Sequence, residues 1–199
     1  RSLLVLEQLP KPVNFSGGME PLTIGGSFTL ARVLGTVPVE PDGSARFQVP
    51  ALRPVFFVAL DADGMAVKRM QSWCSVQPGE RLGCVGCHEP RTSAMPVMQP
   101  PAAARRPPSR IEPVSDVPDV LDFSRDVQPV FDRHCTRCHN PEQYAGRLDL
   151  TGGRTHRYRV SYVNIVRRGL VADGRNEPRS NRAPRTIGTS ASKLLQVLR

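Results

Sequence analysis

The sequence is poor in aromatic side chains, poor in lysine, and has no long apolar run. Phe, Trp and Tyr make up 6% of its 199 residues, with a single Trp, which argues against a large aromatic core or a row of base-stacking rings. The longest purely aliphatic stretch is LLVL, Leu3 to Leu6, far short of the roughly 18 apolar residues that a bilayer-spanning helix needs. No membrane span is expected. Lysine occurs only at positions 11, 68 and 193, so the formal charge of +9 rests on arginine. Those arginines are scattered rather than gathered on one helix or one motif, and nucleic acid is not the expected partner.

Proline and glycine are plentiful. Twenty prolines and sixteen glycines in a chain that is 39% hydrophobic predict a folded core threaded by many loops and short elements. Residues 1–27 show no clear periodicity and are expected to form a loop or an edge extension. From Ser27 the period becomes two: SFTLARVLGTVPVE, a turn at Pro41–Gly43, then SARFQVP, with Ala45, Phe47 and Val49 on one face. A second pair follows, Val55–Leu60, the turn DADG at 61–64, and MAVKRMQSW. Asp-Gly ahead of a strand is a hairpin signal because glycine takes the positive φ that such turns require. Two hairpins predict a small antiparallel sandwich or sheet of about four strands over residues 28–80.

Residues 95–121, beginning MPVMQPPAAARRPPSR, are rich in Pro and Ala and are expected to be an extended connector that divides the chain, since proline denies the backbone helix and ladder bonds. Beyond it, DFSRDVQPVFDRHCTRCH places Phe123, Val127, Val130 and Phe131 at helical spacing. Asp122, Ser124 or Asp126 can cap this helix, and Pro129 is tolerable only in its first turn. VSYVNIVRRG, stopped by Gly169, and the terminal SASKLLQVLR are further helices. The predicted fold class is α+β, a β-sandwich or sheet followed by a mostly helical cytochrome c-like domain over 122–199. Because the sequence starts at Arg1 and stops inside a helical pattern, it is expected to be a piece of a longer, C-terminally truncated protein.

Two stretches carry chemistry. GCVGCHE, within residues 81–94, holds Cys84, Cys87 and His88, and CTRCHN holds Cys135, Cys138 and His139. Cys-x-x-Cys-His is the attachment signature of c-type haem. Two thiols three apart reach the two porphyrin vinyl groups, and the adjacent imidazole lies beneath the iron as proximal ligand. The expectation is two covalent haems, with His88 and His139 on iron. The competing reading is one zinc held by the four thiolates, a zinc-stapled interaction module. Zinc ribbons separate their pairs by about 15–20 residues, whereas about 47 intervene here, and zinc gives no reason for a histidine after both pairs. Cys74 is expected to be a lone thiol at a strand end.

The far side of each iron decides between carrier and catalyst, because a second ligand closes the metal and an open position admits small molecules. Met95 and Met98 are the candidates at the first haem and His156 at the second; His134 is too near Cys135 to reach the opposite face.

The run from Ser27 to Trp73, the following QPGERLGCVGCHE, then FSRDVQPVFDRHCTRCHN with GRLDLTGG, resemble the C-terminal cytochrome part of the hydrazine synthase alpha subunit family of planctomycete-type bacteria. The resemblance implies two c-type haems in an exported setting and a β-propeller preceding the segment. In the synthase itself, ammonia and nitric oxide become hydrazine, the first haem carries a tyrosine ligand, and its motif histidine turns to zinc. That tyrosine follows the motif histidine by four residues, a position held here by Thr92, so an ordinary His88–iron bond is expected. The resemblance places the second haem's distal histidine further along the chain.

The expected function is therefore a dihaem electron-relay module of a larger protein, partnered by a redox protein or by further domains of its own chain. The alternative is a haem enzyme of small nitrogen or oxygen species, synthase-like or peroxidase-like. Covalent haem attachment takes place outside the cytoplasm, so a periplasmic or otherwise exported location goes with the haem reading.

Overall fold

The computed structural model describes residues 1–12, 20–27, 29–84, 100–173 and 182–199. The expectations for Cys87, His88, Thr92, Met95 and Met98 lie outside the described residues. Four strands, β1 (Ser2–Leu9), β2 (Leu30–Pro38), β3 (Val55–Leu60) and β4 (Ala66–Arg69), form one antiparallel sheet in the order β2-β1-β3-β4. With three short α-helices beyond it, α1 (Gln128–His134), α2 (Val160–Arg167) and α3 (Lys193–Leu198), the fold is mixed α+β. Among the described residues after 122, these helices and single π and 3-10 turns are joined by turns and irregular segments.

The sheet corrects the reading of residues 1–27 as loop. Ser2–Leu9 is a central strand, paired on both sides. Its Val5 and Leu6 are 0% and 9% exposed, although neighbouring strand residues point to opposite faces. A strand covered on both faces shows a continuous apolar run instead of alternation, which is why LLVL carried no period-two signal. Leu6, Phe56 and Val58 anchor one face with Leu4, Val33 and Leu60 packed around them. On the other face, Val5, Val37 and Val55 are buried, and Phe47 meets Phe57 edge-on at 5.3 Å.

The second hairpin forms as its Asp-Gly turn predicts: Asp61 accepts the Asp63 and Met65 amides at 3.0 and 2.9 Å, and Gly64 takes φ 72°. The first does not. SARFQVP makes no strand with β2; its Phe47 instead bridges Ser109, because β1 already occupies one edge of β2 and the segment after residue 100 lines the other. Thr36 and Glu112 exchange both backbone hydrogen bonds, at 2.8 and 2.9 Å, and the Val33 amide donates to the Asp119 carbonyl at 2.7 Å. The proline-rich stretch, where described, is thus a strap docked on the sheet and not a free divider. Gly35, at φ 139°, makes the approach possible, since a Cβ there would lie 2.2 Å from the Glu112 carbonyl oxygen. The outer edge of β4 is met by later residues as well: the Arg185 amide donates to the Val67 carbonyl at 2.7 Å and the Ser190 hydroxyl to that of Ala66 at 2.9 Å.

Asp42 fastens the start of the strap. Its carboxylate accepts from the Ala102 amide at 2.8 Å and from the Ser44 hydroxyl and amide at 2.7 and 3.0 Å. Those donors, Ala102 first, hold its pKa down from 3.8 to about 2. A depressed carboxyl pKa means that the docking contribution is present above pH 3.8 and is lost as the pH falls through about 2. Amide exchange at Ala102, corrected for its intrinsic pH dependence, is expected to accelerate across that window, and an Asp42→Asn chain to show no such step.

Candidate functional site

Residues Phe123–Val127 form a single π-turn, started by the Asp122 carboxylate accepting the Arg125 amide at 2.8 Å, and lead into α1 with Pro129 in its first turn. The π winding holds an extra residue, so the face expected from straight helical spacing shifts. Phe123, Val127 and Phe131 stay in the core with Leu150 and Ile165, while Val130 is 53% exposed. Gln128 turns inward instead and is 3% exposed. Its amide nitrogen donates to Asp132 at 2.8 Å and to the Leu150 carbonyl at 3.0 Å, and its oxygen accepts from the Ser161 hydroxyl at 2.5 Å, so a buried polar group is satisfied while joining α1 to α2. No apolar pattern could have pointed to it.

A row of rings spreads from this helix. Phe123 lies 6.0 Å from Phe131 and 5.1 Å from Tyr162, which lies 5.4 Å from Tyr158. The Tyr162 hydroxyl accepts from the Ile24 amide at 3.2 Å and Tyr158 donates to the Pro21 carbonyl at 3.4 Å, tying residues 20–27 to α2. Burial pushes the Tyr162 phenol above its ordinary pKa. A cavity of about 440 Å³ lies between the β3–β4 hairpin and α2, lined by Val58, Ala66, Tyr162, Val166 and Ile187 among others. None of the described cysteine-motif residues lines it.

Helix α1 runs directly into CTRCHN, as expected. The Cys135 and Thr136 amides both donate to the Phe131 carbonyl, at 2.8 and 3.0 Å, and the Cys138 and His139 amides return to the Cys135 carbonyl at 3.1 and 2.9 Å. The motif backbone is therefore a tight turn. Cys135 and Cys138 are free thiols, the first half-buried and the second exposed; burial raises the pKa of Cys135. The imidazole Nδ1 of His139 lies 2.9 Å from the Ala145 carbonyl oxygen. A carbonyl only accepts, so Nδ1 carries the proton and Nε2 keeps its lone pair. This donor set, two free thiols and an imidazole with its metal-binding nitrogen left over, fits a covalently held haem.

Among the described residues the distal candidate is His156. His156 is exposed in the loop between the bridging residues Arg154 and Arg159, and His134 is exposed at the last turn of α1. Cys84 is an exposed free thiol, and Cys74 is half-buried with its backbone bridged to Val55. Burial first, and Cys84 second, raise the Cys74 pKa, so the two thiols lie within electrostatic reach of each other. Among the described residues no group of three or more His, Cys, Asp or Glu side chains could hold a metal ion, and no helix is long and apolar enough to cross a membrane.

Residues 16–89 match the hydrazine synthase alpha subunit middle domain. That match takes in β2, β3 and β4 and ends just past His88, so the second motif lies outside it. The fold is similar to that of Kuenenia stuttgartiensis hydrazine synthase, with a TM-score of 0.57 and 19% identity over 82% of this chain and 29% of that one. The chain thus spans 29% of the length of that structure, and at this identity the likeness is one of fold. No curated protein matches. The sequence match is thus to one domain of that family and the structural match to its fold.

Proposed function

We propose that this chain is a dihaem c-type cytochrome module that relays electrons within a larger, exported hydrazine synthase alpha-like protein. The observation that carries the reading is the hydrogen-bonded Cys135–His139 turn, with free thiols at Cys135 and Cys138 and the His139 Nδ1 2.9 Å from the Ala145 carbonyl oxygen. Cys135 and Cys138 would hold one haem and His139 its iron; Cys84, Cys87 and His88 carry the same signature for the other. Bound haem supplies one-electron exchange at iron. The chain's own part is to orient the imidazole, and to shield one side of the site with the Phe131–Leu150–Ile165 core that packs against Cys135.

Purified, denatured protein that has passed through a haem-attaching compartment is expected to keep a pyridine haemochrome equivalent to two haems per chain. A Cys135→Ser/Cys138→Ser variant should keep half of that absorbance. Colourless protein with stoichiometric zinc would overturn the reading.

The match of residues 16–89 to a synthase middle domain favours a second reading, a haem enzyme of small nitrogen species. Carbon monoxide and nitric oxide separate the two. A relay gives a low-spin spectrum that neither gas changes, and a high-spin haem that binds them points to the enzyme. Met95, Met98 or His156 as a sixth ligand would go with the relay.

A further inference from the structure

The second motif lies among positive side chains that the chain does not neutralise. Between Cys135 and Arg147 the sequence has one acid, Glu142, against two arginines, Arg137 and Arg147. Arg133 comes about one helical turn before Arg137, and Arg168 caps the end of α2. All four arginines are exposed, and none is in an ion pair among the described residues. Elsewhere arginine is matched within the chain, Arg32 and Arg53 to Glu7, Arg106 to Glu40 and Arg185 to Asp61. The acids flanking the motif are otherwise engaged: Asp132 accepts from Gln128 at 2.8 Å, and Asp149 from the Thr151 amide and hydroxyl at 2.8 and 2.7 Å.

Hydrogen bonds hold three of the four at one place. Asn140 Nδ2 donates to the Thr136 and Arg137 carbonyls at 2.9 and 3.2 Å, and its Oδ1 accepts from the Glu142 and Gln143 amides at 2.9 and 2.8 Å. The Ala145 amide then returns to the Cys138 carbonyl at 3.1 Å, and the Gly146 carbonyl accepts from Arg168 Nη1 at 3.3 Å. The backbone of Arg137 and Arg147 and the guanidinium of Arg168 thus meet at one turn. Tyr144, 47% exposed, stands in the same turn. Tyr144 at φ 44° and Arg147 at φ 56° are left-handed, a conformation that costs such side chains energy and that concentrates at binding sites. Arginine and tyrosine are also the residue types that most often carry the energy of a protein interface, and the planar guanidinium fork matches a carboxylate.

We infer that this surface is a docking face for an acidic patch on a second protein, with Arg133, Arg137, Arg147 and Arg168 meeting its carboxylates and Tyr144 supplying apolar contact. Its purpose rests on the relay reading, in which a partner seated there exchanges electrons with the second haem. Complementary charge of this kind raises the rate of encounter more than it tightens the complex, which suits a relay that must release its partner. Nucleic acid is a poorer match, because one exposed ring at the turn offers no platform for successive bases.

Poly-L-glutamate stands in for the acidic patch in the test. The haem-loaded chain should bind it with an affinity that falls about tenfold in Arg137→Glu/Arg147→Glu and less than about twofold in Arg105→Glu/Arg110→Glu. The second pair lies exposed on the strap and makes the same change in net charge. Arg137→Ala/Arg147→Ala reverses no charge, should lose less than the glutamate pair, and stays informative where that pair disturbs the turn. Equal losses in the motif and strap variants overturn the inference, since net charge alone then explains the binding. Tighter binding of a single-stranded oligonucleotide through the same arginines overturns it as well. So does a motif effect seen only when Cys135→Ser/Cys138→Ser removes the second haem, because the haem's own propionates then occupy the arginines. A motif effect that persists in a chain to which haem does not attach upholds the docking face and sinks the relay reading alone.

Discussion

Truncating Phe131 to alanine is expected to cost about 3–5 kcal/mol, the usual penalty for emptying a buried phenylalanine site. Phe131 is 8% exposed at the centre of a cluster with Leu150 and Ile165, and its ring is the first in the row that continues through Phe123 and Tyr162. Its carbonyl also receives the Cys135 and Thr136 amides, so loosening the last turn of α1 disturbs the geometry of both thiols. Urea unfolding should show the lowered midpoint. Val130, next along the helix but 53% exposed, is the control: Val130→Ala is expected to stay within about 0.5 kcal/mol of the parent. Equal losses for the two variants would mean that the π-turn phase described for this helix is wrong.

The second large effect is expected at Gly35. A valine there would place its Cβ 2.2 Å from the Glu112 carbonyl oxygen and 2.6 Å from Ile111 Cγ2, on a backbone at φ 139° that side chains rarely adopt. Neither neighbour can give way easily, because the Glu112 backbone is hydrogen-bonded to Thr36 in both directions. Loss of the strap is the cheapest relief, at a cost on the order of 3 kcal/mol. Limited proteolysis should then cut residues 109–120, which the parent protects. Gly83→Ala, with nothing within 4 Å of the added Cβ, should leave the cleavage pattern unchanged. An unaltered pattern in Gly35→Val would show that the strap is held by something other than the edge of β2.

What could be seen in the sequence follows from which forces are local. The Asp61–Gly64 hairpin, the entry of α1 into CTRCHN and the stop at Gly169 are set by turn chemistry, capping and short-range spacing, and each forms. Cys135–His139 forms a hydrogen-bonded backbone turn straight after α1. What escaped depends on partners far along the chain. Ser2–Leu9 is a central strand only because β3 covers its second edge, and nothing within those eight residues distinguishes a doubly covered strand from an apolar loop. SARFQVP has the alternation of a strand, yet the edge it would have joined is taken by residues 109–120. Gln128 and Asn140 were invisible for another reason. Their value lies in saturating hydrogen bonds among backbone groups brought together by folding, and polar residues of that kind leave no periodic trace.

The sheet's two borders have a consequence for the order in which the protein is made. β1 precedes the other three strands in the chain and ends in the middle, whereas the border on β2 is sealed by residues 109–120 and that on β4 by residues 185–190. Until translation has passed residue 185, the hydrophobic sheet can be assembled but has at least one row of backbone amides and carbonyls open to another chain, the arrangement from which edge-to-edge aggregation starts. Residues 185–190 thus seal a sheet begun by Ser2–Leu9. A nascent chain arrested before them carries the core without its guard, so the hazardous interval is the pause between hairpin formation and arrival of the C-terminal segment.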